Sequence, residues 1–430
     1  MLFENISCIS PEYEVLTGAY VGIEGSRISY VGCEPPPDRE KYGRSVDGRG
    51  KLLIPGFYDA HSHLAMSLMR GYGEGLALQD WLNTRIFPFE AKLLPDDIYW
   101  GTLLGCAELL RYGAVGCSDM YLDCLSAGRA FADSGMKASF SVCFTGGGDC
   151  RALPRHADTE EAVSRFHMLD DGRLRVDMSL HAEYTSDEAL ARSLASVCAE
   201  AGLRMHVHVS ETELEVRQCR ERHGGLSPVQ YLSECGLFDV PTTAAHCVAA
   251  DEKDMDILRD KNVTVASCPK SNLKLVSGIC PAAEFIRRGI NVALGSDSVT
   301  SNNNLNMLEE ARFFSLLQKN LSGDPAALSP AETLRAATRA GALAQGRDDC
   351  GLIAPGYRAD LAMLDISGVN WQPVHDLMNN LIYSGSGSDV CMTVVDGRIL
   401  YENGAWPTLD MDEILRQTEK SRLRILSELN

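Results

Sequence analysis

The chain has 430 residues, 45% of them hydrophobic and 23% charged, and a formal net charge of −19. That length suits one large domain plus a small accessory one, with a core that needs no covalent staples. The acidic balance argues against a general nucleic-acid or anionic-membrane binder and leaves a small-molecule site open.

The opening residues, MLFENISCIS, have neither a basic stretch nor a long apolar core, so no signal peptide is expected. No apolar run reaches the ~20 residues of a membrane span, so no membrane partner is expected. The 15 cysteines are odd in number and contain no C-x-x-C pair. They read as reduced, mostly buried thiols of a reducing compartment, which makes the expected location cytoplasmic.

Residues 1–55 read as short strands and turns, because LTGAYVGIEGSRISYVG alternates apolar and polar residues with glycine punctuation. Residues 351–405 read the same way, with a hairpin turn at Val395-Asp396-Gly397-Arg398. Together the two ends are expected to form one small β-sandwich domain.

The middle, 56–350, alternates apolar runs with helix-like segments, the pattern of repeated βα units. Candidate strands in order are LLIPGFYDAHSH, AVGCSDM, KASFSVCF, RVDMSLHA, RMHVHVS, TTAAHCV, VTVASCP and NVALGSD. This repetition predicts an α/β fold, a closed (β/α)8 TIM-like barrel. Helices are expected in DDIYWGTLLGCAELLRYG and in SDEALARSLASVCAEAG, the latter with Ser186 as N-cap and Gly202 just past its end. The tail, 406–430, is expected to be an amphipathic C-terminal helix packing on the body or on a partner subunit.

A barrel of this kind carries its chemistry at the C-terminal ends of its strands. Of the 10 histidines, His61, His63, His181, His206, His208 and His246 fall at those ends, as does Asp297. A lone histidine there is usually a packing residue. His-x-His on a strand puts both rings on one face, and a further histidine plus an aspartate completes a sensible set for a borderline-soft divalent metal. Spacing alone does not separate His206 from His208 as the ligand. Glu211 reads either as a surface glutamate opening a helix or as the proton carrier that a hydrolase needs beside its water.

These segments resemble the methylthioadenosine/S-adenosylhomocysteine deaminases of the amidohydrolase superfamily, close to the chlorohydrolase-type aromatic deaminases. The resemblance rests on PGFYDAHSHLAMSLMRGYGEGLALQDWL, IFPFEAKL, HAEYT, HVHVSETELEV, AAHCV, SCPKSNLKL and GSDSVTSNNNLNMLEE, and spans nearly the whole chain. It implies one divalent metal per subunit, usually zinc (Zn2+), held by His61, His63, His208 and Asp297. His206 then supports or packs. Binuclear relatives use a carboxylated lysine on the fourth strand; the strand here ends at His181 without one, which favours a single ion. Glu211, His246 and Asp297 are implied as catalytic proton carriers. The resemblance also implies Glu90 for the ribose hydroxyls, His181 for the purine ring, and Trp81 and Ser301 at the substrate pocket. Trp81 reads equally well as core. Arg151 and Arg155 lie in the region where relatives place arginine for the homocysteine carboxylate.

Three departures stand out: H-S-H for the usual H-T-H, H-A-E-Y for H-A-P-Y, and G-S-D-S-V-T-S for G-T-D-G-A-A-S. The second puts Glu183 either toward solvent or into the pocket as an extra acceptor. The implied activity is hydrolytic deamination of an adenosine-like nucleoside (S-adenosylhomocysteine, 5′-methylthioadenosine, adenosine or 5′-deoxyadenosine) to its inosine analogue and ammonia. An alternative keeps the barrel and changes the ring to a guanine-like base, a pterin or an s-triazine, the last by dechlorination. A remote alternative is a metal-free scaffold. Relatives are often dimers or tetramers, so a homo-oligomer is among the expected partners.

Overall fold

The structure, a computed structural model, describes residues 1–429; Asn430, the last residue of the expected C-terminal helix, lies outside the described residues. Five strands open the chain: β1 (Leu2–Ile9), β2 (Val15–Glu24), β3 (Arg27–Gly32), β4 (Ser45–Asp47) and β5 (Lys51–Pro55). The barrel strands follow: β6 (Phe57–Ser62), β7 (Ala114–Tyr121), β8 (Lys137–Phe144), β9 (Leu174–Val176), β10 (Met178–Leu180), β11 (Met205–Val209), β12 (Thr242–His246), β13 (Thr264–Ser267) and β14 (Val292–Leu294). Then β15 (Leu361–Asp365), β16 (Val390–Val395) and β17 (Arg398–Glu402) return to the first sheet.

The barrel strands pair in the order β6-β7-β8-β10-β11-β12-β13-β14, with β9 beside β8 as the first piece of an interrupted fourth strand. All these pairings are parallel. A parallel bridge between Ser62 and Asp297 links the last strand to the first, and the amide of Asp297 donates to the carbonyl of His61 at 2.8 Å. Every residue of β6, β7, β8, β11 and β12 is buried, as strands covered on both faces must be.

The two chain ends share one eight-stranded sheet in the order β17-β16-β15-β5-β1-β2-β3, with β4 beside β1. Its wings pack together: Val21, Ile23 and Ile28 from one side meet Met363, Met392 and Val394 from the other in a single apolar core. The hairpin between β16 and β17 turns at Asp396 and Gly397, both in left-handed backbone conformations.

Local signals place the helix ends. The helix Glu188–Ala201 is capped by Asp187, whose side chain accepts the amide of Leu190, and it ends at Gly202 with φ +65°. Ser186, the expected cap, instead donates its hydroxyl to the Ala182 carbonyl at 3.0 Å. The one-residue difference arises because Asp187 presents a carboxylate oxygen at the correct distance from the first turn.

The C-terminal helix, Met411–Leu429, packs on the body of the chain, against the helices Pro95–Arg111 and Phe87–Glu90. Fully buried Ile425 joins a cluster with Trp81, Leu82, Ile86 and Phe89. Among the described residues no helix is long and apolar enough to cross a membrane. All cysteines are free, and all but Cys33 and Cys391 are buried.

Candidate active site

At the C-terminal rim of the barrel, one apolar-walled cavity of about 480 Å³ is lined by His63, His181, His208, Glu211, His246 and Asp297 together with Glu90 and Trp81. The strand ends that carry these groups are bent for the purpose. His246 and Asp297 have φ of +73° and +59°, a left-handed region costly for side chains with a Cβ.

Ligand nitrogens of His61, His63 and His208 lie within 4.8 Å of one another. Asp297 Oδ1 is 3.6 Å from His61 Nε2 and 3.3 Å from His63 Nε2. The other face of each ring is occupied. His63 Nδ1 donates to the Met120 carbonyl at 2.5 Å, and His208 Nδ1 donates to the His181 carbonyl at 2.7 Å. Both therefore turn an Nε2 lone pair toward the cluster, the orientation a metal ligand needs. His61 Nδ1 pairs with His206 Nε2 at 2.9 Å, while His61 Nε2 is buried without a hydrogen-bond partner. His206 is therefore behind His61 and outside the cluster.

The electrostatics of the cluster favour a cation. Burial drives His61 down to about 3 and holds His206 and His208 well below the usual imidazole range, so these rings stay neutral donors of lone pairs. His63 is the exception. Burial opposes its charge too, but the hydrogen-bonded Asp297 carboxylate outweighs it and raises it to about 9. A divalent ion held there would satisfy the same carboxylate and leave the His63 Nε2 lone pair free to bind it. Three imidazole nitrogens, among them the orphaned Nε2 of His61, and one carboxylate oxygen fit such an ion.

Around this cluster stand the proton-bearing groups. Burial raises Glu211 above the usual carboxylate range, against the pull of His246. Its Oε1 accepts from the Ser277 hydroxyl at 3.2 Å, and its Oε2 is 3.8 Å from His246 Nε2. His246 Nδ1 pairs with Asn272 Oδ1 at 3.0 Å, which points Nε2 at the cavity. Asp297 Oδ2 accepts from Ser271 and, at 3.1 Å, from Ser301.

The remaining expected residues divide. Glu90 and Trp81 line the cavity, and burial lifts Glu90 to about 7. His181 also lines it, with Nδ1 3.0 Å from the Thr185 hydroxyl. Two expectations are corrected. Ser301 does not line the cavity; it is buried behind Asp297 and orients that carboxylate. Arg151 lies on the surface, where Glu200 takes its guanidinium at 2.9 and 3.0 Å. Arg155 lines the cavity instead, bound to the Cys143 carbonyl and the Thr145 hydroxyl. Glu183 faces neither solvent nor cavity; its buried carboxylate pairs with the exposed Arg222.

Sequence reasoning missed Asn272, Ser271 and Ser277. The first two lie in SCPKSNLKL, a segment already singled out, but nothing local shows that they reach His246 and Asp297.

A family model described as the amidohydrolase family matches residues 52–400. A 5-methylthioadenosine/S-adenosylhomocysteine deaminase of Dictyoglomus thermophilum is 40% identical over 391 residues, 90% of this chain and 91% of that protein. A 5′-deoxyadenosine deaminase of Methanothermobacter thermautotrophicus is 39% identical, covering 97% of each chain. Among solved structures, an adenosine deaminase from Xanthomonas campestris with bound zinc superposes with a TM-score of 0.92 at 29% identity, covering 99% of this chain and 98% of that one.

Proposed function

This chain belongs to the amidohydrolase family, and on that premise we propose that it is a hydrolytic deaminase turning an adenosine-type nucleoside into its inosine analogue and ammonia. The observation that carries the reading is the convergence of three imidazole nitrogens and one carboxylate beside a buried Glu211 and His246, in a cavity that the Glu90 carboxylate also lines.

His61, His63, His208 and Asp297 would hold one divalent ion, zinc by its affinity for nitrogen donors. When bound, that ion supplies the Lewis acidity that makes water nucleophilic near neutral pH. The chain's own residues do the rest. Asp297 and His246 orient the attacking water and take its proton, Asp297 with one oxygen already fixed by Ser271 and Ser301. Glu211, whose burial favours the protonated form, delivers a proton to the ring nitrogen next to the amino-bearing carbon, so that this carbon accepts the water oxygen. A second proton transfer to the amino group lets ammonia leave. His181 bounds the ring, and Glu90 accepts from the two ribose hydroxyls, for which a carboxylate offers two acceptor oxygens.

A substrate panel tests this: adenosine, 5′-deoxyadenosine, methylthioadenosine, S-adenosylhomocysteine, guanine and a triazine, followed by ultraviolet absorbance and ammonia release. The nucleosides are expected to turn over and the free base and triazine to be poor. A free base handled as well as its nucleoside would remove the role given to Glu90 and favour the other-ring alternative.

A further inference from the structure

Two buried carboxylates near the cavity take no part in the chemistry above. Glu215 and Glu183 are 6% and 2% exposed, and neither lines the cavity. Both are bound to one element, the helix Glu213–Arg222 with its first following residue, His223.

The N-terminal end of that helix grips the proton carrier. Glu215, in the first turn, accepts the amide of Ser210 on Oε1 at 2.9 Å and the amide of Glu211 on Oε2 at 2.7 Å. Ser210 has φ +49°, a left-handed conformation unusual for a residue with a Cβ. Both amides of the turn that aims Glu211 are thus satisfied by one side chain.

The C-terminal end grips the neighbouring wall, which follows the adjacent barrel strand β10. Arg222 holds Glu183 with Nε at 3.0 Å on Oε1 and Nη2 at 2.5 Å on Oε2. His223 Nε2 adds a third bond to Oε1 at 2.7 Å, its ring stacked on Tyr231 with centroids 3.7 Å apart. Glu183 opens the turn Glu183–Thr185, whose Tyr184 and Thr185 line the cavity. Thr185 in turn holds His181 Nδ1.

We propose that the helix Glu213–Arg222 is a clamp that fixes Glu211 against the wall of His181, Tyr184 and Thr185, with Glu215 and Glu183 as its positioning residues. A helix is the stiffest link available, about 15 Å long for 10 residues. A proton carrier displaced by about 1 Å loses roughly a hundredfold in rate. The clamp rests on the deaminase reading for what it positions, and on the hydrogen bonds alone for its existence.

The two jaws predict different kinetic losses. Glu215→Gln keeps the shape and sets an amide NH2 against a backbone N–H. It is expected to lower kcat about 10–100-fold with KM within about threefold, and to leave metal content unchanged. Glu183→Gln weakens the grip on the wall and is expected to raise KM about 5–10-fold with kcat within about threefold. Hydrogen exchange should quicken at the amides of Ser210 and Glu211 in the first variant and across residues 183–186 in the second. Arg220→Ala, which breaks only a surface pair with Asp251, should change none of these.

Wild-type kcat and wild-type exchange in Glu215→Gln would overturn the clamp. So would matching losses in kcat and KM from both variants with a lowered melting temperature, which marks general loosening. Failure of the wild-type protein to turn over any nucleoside would instead overturn the deaminase reading, and the local exchange pattern would then decide the clamp by itself.

Discussion

Glu211 lost its solvent on folding and gained a serine hydroxyl and an imidazole edge in exchange. Burial pushes its proton affinity up and His246 pulls it down. Glu211→Gln retains the volume and an acceptor for Ser277 but cannot carry a proton. It is expected to bind metal as the parent does and to lose about 10²–10⁴-fold in kcat, read by metal analysis beside steady-state kinetics. Normal turnover in that variant would remove Glu211 from the mechanism. At this scale the sequence was informative where chemistry is rare and mute where it is common. Histidines at strand ends are few, so His61, His63, His208 and His246 stood out as candidates. Serines and arginines are many, and Ser301 and Arg151 were misplaced because only the folded chain shows that one faces Asp297 and the other Glu200.

The C-terminal helix packs behind one wall of the cavity. Its Ile425 packs into the cluster that carries Trp81, Leu82, Ile86 and Phe89, and Arg424 binds the Lys92 carbonyl at 3.0 Å and the Asp97 carboxylate. The same segment, residues 78–94, presents Trp81 and Glu90 to the cavity. Ile425→Ala should open a void behind this wall and cost about 2–4 kcal/mol of stability. Because no metal-cluster residue touches the void, KM for the nucleoside should rise several-fold while kcat stays within about twofold. Unchanged KM with lowered stability would confine the helix to a structural role. The amphipathic pattern announced this helix, but it did not say which surface would receive the apolar face.

The barrel and the sheet built from both chain ends are joined by a buried ionic knot. Lys137, at the start of β8, reaches Asp360 at 2.8 Å and Asp396 at 2.6 Å, and the Tyr58 hydroxyl donates to Asp360 at 2.6 Å. Lys137→Ala leaves buried negative charge without its counterion and should cost about 3–5 kcal/mol, measured by denaturant unfolding. The pH dependence follows from Asp360. Burial alone would raise its pKa, but Lys137 and Tyr58 outweigh burial and hold it below the usual carboxylate range. An acid depressed in the folded state stabilises above its unfolded value, about 3.9. That stability drains away as pH falls through the lower folded value. Acid unfolding of the parent protein should show this loss below about pH 4, and Lys137→Ala should show less of it. An equal acid response in both proteins would mean that the knot contributes nothing to the joint.

The sequence by itself determined what repeats and what is chemically scarce. The alternation of apolar runs with helix-like segments pointed to a parallel sheet, eight repeats of it to a closed barrel, and the histidines and acids at strand ends to the kind of chemistry. Only the tertiary structure decided where each member of a pair lies: His208 and not His206 in the cluster, Arg155 and not Arg151 at the cavity, Glu183 paired with Arg222 and not in the pocket. Spacing along the chain sets which face a side chain leaves from. Its partner comes from a strand or helix far away in the sequence, and the energy of that meeting exists only once the barrel has closed.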